Sequence, residues 1–161
     1  MNRKKFFSEI RRSLFGGRMS TSQVKGIDTI LTEAERRGTF GSHLAYMLAT
    51  AYHETQQAME PNTENLNYTT AERITQVWPS RFHSTASAQP YVRDPKMLAN
   101  KVYNGRMGNR QNSDDGWNFR GRGLPHLTGR DNYAKASRFV GVDLVKHPDK
   151  ALDIEVAVKV L

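Results

Sequence analysis

His53-Glu54-Thr55 is the first place in this 161-residue sequence where residue types suggest chemistry. A His-Glu-x-x-His run would set two imidazoles on one helical face, the spacing that zinc requires, but position 57 is Gln57. His43, His83, His126 and His147 have no ligand spacing either, so neither a metal nor another cofactor is expected. Glu54 taken alone suits acid chemistry. It falls in the last turn of a helical pattern, where unsatisfied carbonyl oxygens disfavour a negative charge. That favours the proton-carrying form a general acid needs.

Hydrolysis of a glycosidic bond needs a second carboxylate across the scissile bond, as base or nucleophile. Glu60, Glu64 and Glu72 lie within reach along the chain. Glu72 fits the reciprocal position of a capping box in Thr69-Thr70-Ala71-Glu72, and Glu60 stands before Pro61 without polar company. Glu64 lies in Asn62-Thr63-Glu64-Asn65-Leu66-Asn67-Tyr68, a polar run rich in groups that hydrogen-bond sugars. Elimination selects Glu64 and keeps Glu72 open as the other candidate base.

These carboxylates need elements to hold them, and the pattern supplies mostly helices. Phe6, Ile10 and Leu14 recur every four residues among arginines, predicting an amphipathic helix over about 3–15 that ends at Gly16-Gly17. Ser20-Thr21-Ser22 caps a second helix with Val24, Ile27 and Leu31 on one face and Gly38 as its stop. Residues 43–57 form the clearest helix, with Leu44, Leu48 and Tyr52 as the core stripe and Met47, Thr50 and Glu54 on a cleft-lining face; Pro61 marks its end. Ile74, Val77 and Trp78 follow the capping box as the buried side of a short helix, and another is expected at Pro95–Tyr103. The Gly- and Asn-rich stretch 104–123 predicts a small hairpin or ordered loop, and helical patterns resume at 132–140 and 150–161. Ile154, Ala157, Val158 and Leu161 carry an apolar face to the last residue without a stop signal, so the chain is expected to be incomplete at its C-terminus.

Length and composition agree with one mainly helical domain over residues 1–161. The absence of cysteine excludes a disulfide scaffold and a thiolate zinc site. The net charge of +8 is unevenly placed: +5 over residues 1–38, −3 over 39–80 and +6 over 81–161. Carboxylates inside a basic frame suit an acid/base enzyme acting on an anionic polymer better than a nucleic-acid groove. Met1 to Phe7 imitate the start of a signal peptide, but Ser8, Glu9, Arg11 and Arg12 interrupt the apolar stretch that should follow.

Five ordered motifs carry a resemblance: Phe15 to Ser20, Ala51-Tyr52-His53-Glu54-Thr55, Glu64-Asn65-Leu66-Asn67-Tyr68, Trp78-Pro79-Ser80-Arg81-Phe82, and the long run from Gly116 through Gly121-Arg122-Gly123 to Tyr133. Together they resemble family 19 chitinases, and more closely the phage and prophage endolysins related to them, which degrade peptidoglycan. The resemblance implies a lysozyme-like, two-lobed helical fold with a small β-hairpin or loop lobe. It also implies an inverting mechanism in which Glu54 protonates the glycosidic oxygen and Glu64 activates water. Thr128 matches the residue that helps hold the water and Asn132 a substrate-contacting asparagine, with His126, Tyr68 and Arg122 as further positioning residues. Two departures stand out: His126 replaces a glutamine and Asp131 an aromatic residue of the chitinase pattern, which weakens an inference to chitin.

The expected function is therefore cleavage of β-1,4 bonds in peptidoglycan glycan strands. Chitinase activity, or a non-catalytic module that binds anionic polymer or nucleic acid, is the alternative. Nucleic acid is not the expected partner, whereas the basic N-terminal helix is expected to touch an anionic envelope. The resemblance implies synthesis in the bacterial cytoplasm without a signal peptide and action at the periplasmic wall after release.

Overall fold

The computed structural model describes all of residues 1–161. In chain order the elements are α1 (Arg3–Ser13), α2 (Thr21–Arg37), α3 (Gly41–Glu54), β1 (Asn62–Thr63), α4 (Ala71–Val77), α5 (Thr85–Ala88), α6 (Pro95–Tyr103), α7 (Asp115–Asn118), β2 (Arg122–Gly123), α8 (Arg130–Val140) and α9 (Ile154–Val160). Two 3-10 turns, Gln89–Tyr91 and Pro148–Leu152, complete them. The fold is mainly helical with one small two-stranded antiparallel sheet, as expected. No helix is long and apolar enough to cross a membrane.

Ser20 starts α2 as its sequence demands. Its hydroxyl accepts from the Gln23 amide at 3.0 Å, and its own N–H donates to Gln23 Oε1 at 2.8 Å, closing a capping box. α2 then buries Ile27, Ile30 and Leu31 against Met47 and Ala51 of α3 and Ala157 and Val158 of α9. Each fully buried leucine or isoleucine contributes about 1.5–3 kcal/mol. A second cluster is contiguous in sequence: Ala71, Ile74, Phe82, Ala88, Leu98 and Val102 bring α4, α5 and α6 into one lobe. A third joins Phe119, Tyr133, Leu144, Ala151 and Val156 around α8 and α9.

α1 has no buried residue; Phe6, Phe7 and Ile10 lie half-buried over a cavity of about 320 Å³ lined only by apolar side chains. Leu44, Leu48 and Tyr52 of α3 are likewise half-buried, and Met47 is the buried residue of α3 beside Ala51. The core face of α3 is thus rotated from the expected one, because α1 covers the Leu44 stripe only loosely.

Three expected boundaries differ. α3 ends at Glu54 and not near Pro61, because the Thr55 hydroxyl donates to the Ala51 carbonyl (2.6 Å) and accepts from the Met59 amide (2.8 Å), folding the chain over the helix end. Gln56, Gln57 and Met59 then take left-handed backbone conformations. α2 presses on this turn so closely that a Cβ at Gly26 would lie 1.8 Å from the Met59 carbonyl oxygen, which only glycine permits. The capping box at α4 is absent: Thr70 is the cap, the third helical residue is Arg73, and Glu72 is exposed one position early. Of the hairpin or ordered loop expected over 104–123, the ordered loop forms and the local hairpin does not. Instead β2 pairs with distant β1, Asn62 opposite Gly123 and Thr63 opposite Arg122, and Leu127 returns to bridge Arg122.

The loop between α6 and β2 is held by side-chain bonds to backbone. Asn104 Oδ1 accepts from Gly116 N, Asn100 Oδ1 from Trp117 N, and Asn109 Oδ1 from Arg130 N, each at 2.8 Å. At its centre the buried Asp115 carboxylate accepts from the Arg110 amide and guanidinium and, at 2.7 Å twice, from Arg130. The hydrogen bonds from Arg130, then those from Arg110, hold its pKa well below the usual carboxylate range against the opposing effect of burial. Glu33 is held at about 2 in the same way by Arg36 and Arg37. A carboxylate lowered on folding stabilises the native state above its unfolded pKa near 4 and loses that contribution as pH falls through the folded value. Melting temperature should therefore stay level from pH 7 to about 5 and fall below about 4. Asp115→Asn should cost about 3 kcal/mol at pH 7, by leaving two arginines unpaired, and should flatten the acid limb; thermal melts across pH check both.

Candidate active site

Glu54 is the last residue of α3 and half-buried, and its Oε2 lies 3.4 Å from His126 Nδ1. The other ring nitrogen, Nε2, makes a short hydrogen bond to Asn62 Oδ1 on β1. His126 reaches this position from the turn joining β2 to Leu127, where it adopts a left-handed conformation with φ of 47°. A bulky residue pays for that conformation only where its surroundings fix it. Here Asn62 and Glu54 fix the ring, and the Thr128 hydroxyl donates to the His126 carbonyl at 2.8 Å.

Glu64 follows β1 directly, and its amide extends the sheet by donating to the Gly121 carbonyl (3.0 Å). Its carboxylate is held at both oxygens: Oε1 accepts from the Gly121 amide at 2.6 Å and Oε2 from the Tyr103 hydroxyl at 2.8 Å. Burial, and next the Glu64 charge, push the Tyr103 phenol well above the usual range, so it remains a donor at neutral pH. Asn62 and Glu64 are two residues apart on an extended segment and share one face, roughly 6–7 Å apart. Asn62 thus ties the Glu54–His126 pair to the strand that carries Glu64.

A Cβ at Gly121 would stand 3.3 Å from the Glu64 carboxyl carbon, 3.3 Å from His126 Cβ and 3.3 Å from Thr128 Oγ1. Glu64, His126 and Thr128 therefore converge on one point. Asn132, in the first turn of α8, joins them by donating to the Thr128 carbonyl at 2.8 Å. Tyr68 lies half-buried edge-on to Trp78, its pKa raised by burial. Arg122 is placed apart from these. It is buried, with Nη1 on the Asn118 carbonyl and the Tyr133 hydroxyl and Nε 2.9 Å from Asp149 without hydrogen-bond alignment, so it braces the strand from beneath. Glu60 and Glu72 are exposed, and neither makes a side-chain hydrogen bond or ion pair.

No protein-family model matches the chain. A Haemophilus influenzae protein named a glycosyl hydrolase family 19 domain-containing protein is 35% identical over 139 residues, 84% of this chain and 68% of the relative. This chain belongs to glycosyl hydrolase family 19. The family 19 chain is thus a glycoside hydrolase.

Asn62 and Tyr103, the partners that orient His126 and Glu64, are not among the site residues expected from the sequence. Asn62 was accessible only through its parity with Glu64, and Tyr103 only through the fold. In this family 19 protein Gly121→Ala should push Glu64 and Thr128 by a few tenths of an ångström. Glycosidase turnover should fall by about tenfold or more, with a stability cost of about 1–3 kcal/mol. Unchanged turnover on a folded variant would refute the tight convergence.

Proposed function

We propose that this glycoside hydrolase cleaves β-1,4 bonds of peptidoglycan by an inverting two-carboxylate mechanism, as expected of a phage or prophage endolysin. The observation that supports it most is the different holding of the two glutamates: Glu54 has only the His126 ring, 3.4 Å away, beside its carboxyl, whereas both oxygens of Glu64 accept from neutral donors, the Gly121 amide and the Tyr103 hydroxyl. Glu54 gives its proton to the leaving glycosidic oxygen as the bond to the anomeric carbon breaks. Glu64 takes a proton from water as the remaining hydroxide adds to that carbon from the opposite face, and solvent then restores both groups. Inversion needs the carboxyls about 6.5–9.5 Å apart to admit the water. Thr128 and Asn132 position the water and sugar, His126 and Tyr68 line the cleft, and Arg122 supports the strand. The enzyme is made in the cytoplasm and reaches the periplasmic wall after release.

Glu54→Gln and Glu64→Gln should each lower turnover on purified peptidoglycan by about 10²- to 10⁴-fold, roughly 3–5 kcal/mol of barrier, with melting unchanged. Glu72→Gln should leave turnover intact and change stability by a few tenths of a kcal/mol, as expected of an acidic residue in a first helical turn. Full activity in Glu54→Gln would end the mechanism; loss in Glu72→Gln with retention in Glu64→Gln would reassign the base. Release of reducing ends from chitin oligomers but not from peptidoglycan would reassign the substrate.

The basic α1 serves as the envelope contact in the same proposal. Arg11 is exposed without an acidic partner and Arg12 pairs only with Glu9 on the surface. Reversing both to Glu should weaken co-sedimentation with cell walls at low salt and have little effect at high salt, where charges are screened. Equal sedimentation at low salt would refute this contact.

A further inference from the structure

Arg120 stands immediately before Gly121, whose amide holds Glu64. Its guanidinium carbon lies 3.6 Å above the Trp117 ring, and Nη1 donates to the Trp117 carbonyl at 2.8 Å. Stacking and this single bond fix the plane of the group while leaving most of its donors unused within the chain. Nearby, Arg130 and the more exposed Arg110 both pair with the buried Asp115, and Arg122 Nε lies 2.9 Å from Asp149. Arg120 has no carboxylate within ion-pair distance and is only half-buried, so its free edge is open to solvent. Burial and then neighbouring Arg122 lower its pKa, while the Asp149 charge, and after it Tyr133 and Glu64, act in the opposite sense.

We propose that Arg120 is a specificity residue that binds a carboxylate of the peptide stem, so that the cleft selects peptide-bearing glycan over uncharged N-acetylglucosamine polymer. A planar, pre-oriented guanidinium with free donors matches a carboxylate in a two-bond fork. Peptide stems carry such groups and chitin carries none. The inference rests on the peptidoglycan reading above, and it predicts something that reading does not.

The test compares native sacculi with sacculi whose free carboxyls have been converted to carboxamides by carbodiimide and ammonia. The unmodified enzyme should lose about tenfold to a hundredfold in kcat/KM on the amidated substrate, mainly through KM, the effect of removing a charge-assisted pair. Arg120→Gln should show the same loss on native sacculi and no additional loss on amidated sacculi, the non-additivity expected of two changes to one contact. Arg120→Lys should recover part of it, since charge is kept and the fork is lost. Equal rates of the unmodified enzyme on both substrates would overturn the inference without any variant being made. So would an equal loss by Arg120→Gln on both substrates, which would make Arg120 a support for Glu64. If the unmodified enzyme cleaves neither form but cleaves chitin oligomers, the peptidoglycan reading falls, and this inference with it.

Discussion

One buried carboxylate constrains the rest of the site. Asp115 accepts from Arg110 and Arg130 with no exposure of its own. Arg130 also places its guanidinium 4.6 Å from the Phe119 ring and its amide on Asn109. The loop after α6 and the start of α8 are thereby one body. Thr128 lies two residues before Arg130 and Asn132 two after it, while the Gly129 amide bonds to the Phe119 carbonyl at 2.8 Å. The turn carrying His126 is therefore anchored at its far end by Asp115. A desolvated ion cluster of this kind adds little net stability compared with an apolar core; its effect is to fix position.

Fixed position is what the irregular backbone at the site requires. Gln56, Gln57, Met59 and His126 all adopt left-handed conformations without being glycine, each costing of order 1 kcal/mol or more. Thr55 locks the first three by bonding both the end of α3 and Met59, and Gly26 lets α2 press on them. His126 is fixed by Asn62 on one nitrogen and Glu54 on the other. Four of the seven non-glycine left-handed residues thus lie in the turn after Glu54 or at its partner His126, the others being Arg93, Met107 and Asn112.

The helical skeleton was legible in the sequence because its signals are local. Ser20 and Gln23 close a capping box, Pro95 opens α6, and Gly38 and Gly141 follow their helices. Glu54 and Glu64 were singled out by residue type and resemblance, and the structure places them around the turn that carries Gly121 and His126. What was not legible is what depends on contacts distant in sequence. The 104–123 stretch has hairpin residues, yet its glycines serve a loop organised by Asn100, Asn104, Asn109 and Asp115, and its strand pairs with β1 some sixty residues earlier. Asp115-Gly116 reads as a turn, and nothing local distinguishes a turn aspartate from a buried hub with two arginines. The expected α4 capping box failed by one residue, since Thr69 fits the pattern with Glu72 but Thr70, followed three residues later by Arg73, is the residue that caps the helix. Glu72 thus lost its structural role as grounds for exclusion, and exposure without a partner now sets it apart from Glu64.

The holding of Glu64 joins the lobes to the chemistry. Its two oxygens are held from two directions: Gly121 belongs to the segment anchored by Asp115, and Tyr103 ends α6, whose Leu98 and Val102 pack in the separate cluster with Ile74 and Phe82. Neither lobe alone fixes the carboxylate. A shift of α6 relative to the sheet would lengthen the Tyr103 bond while Gly121 kept hold of the other oxygen, rotating the carboxylate about its last torsion. Glu54 shares the opposite dependence, since His126 reaches it from the Asp115-anchored turn while α3 belongs to the core built with α2 and α9. Relative placement of the packed bodies therefore sets the separation and facing of the two glutamates.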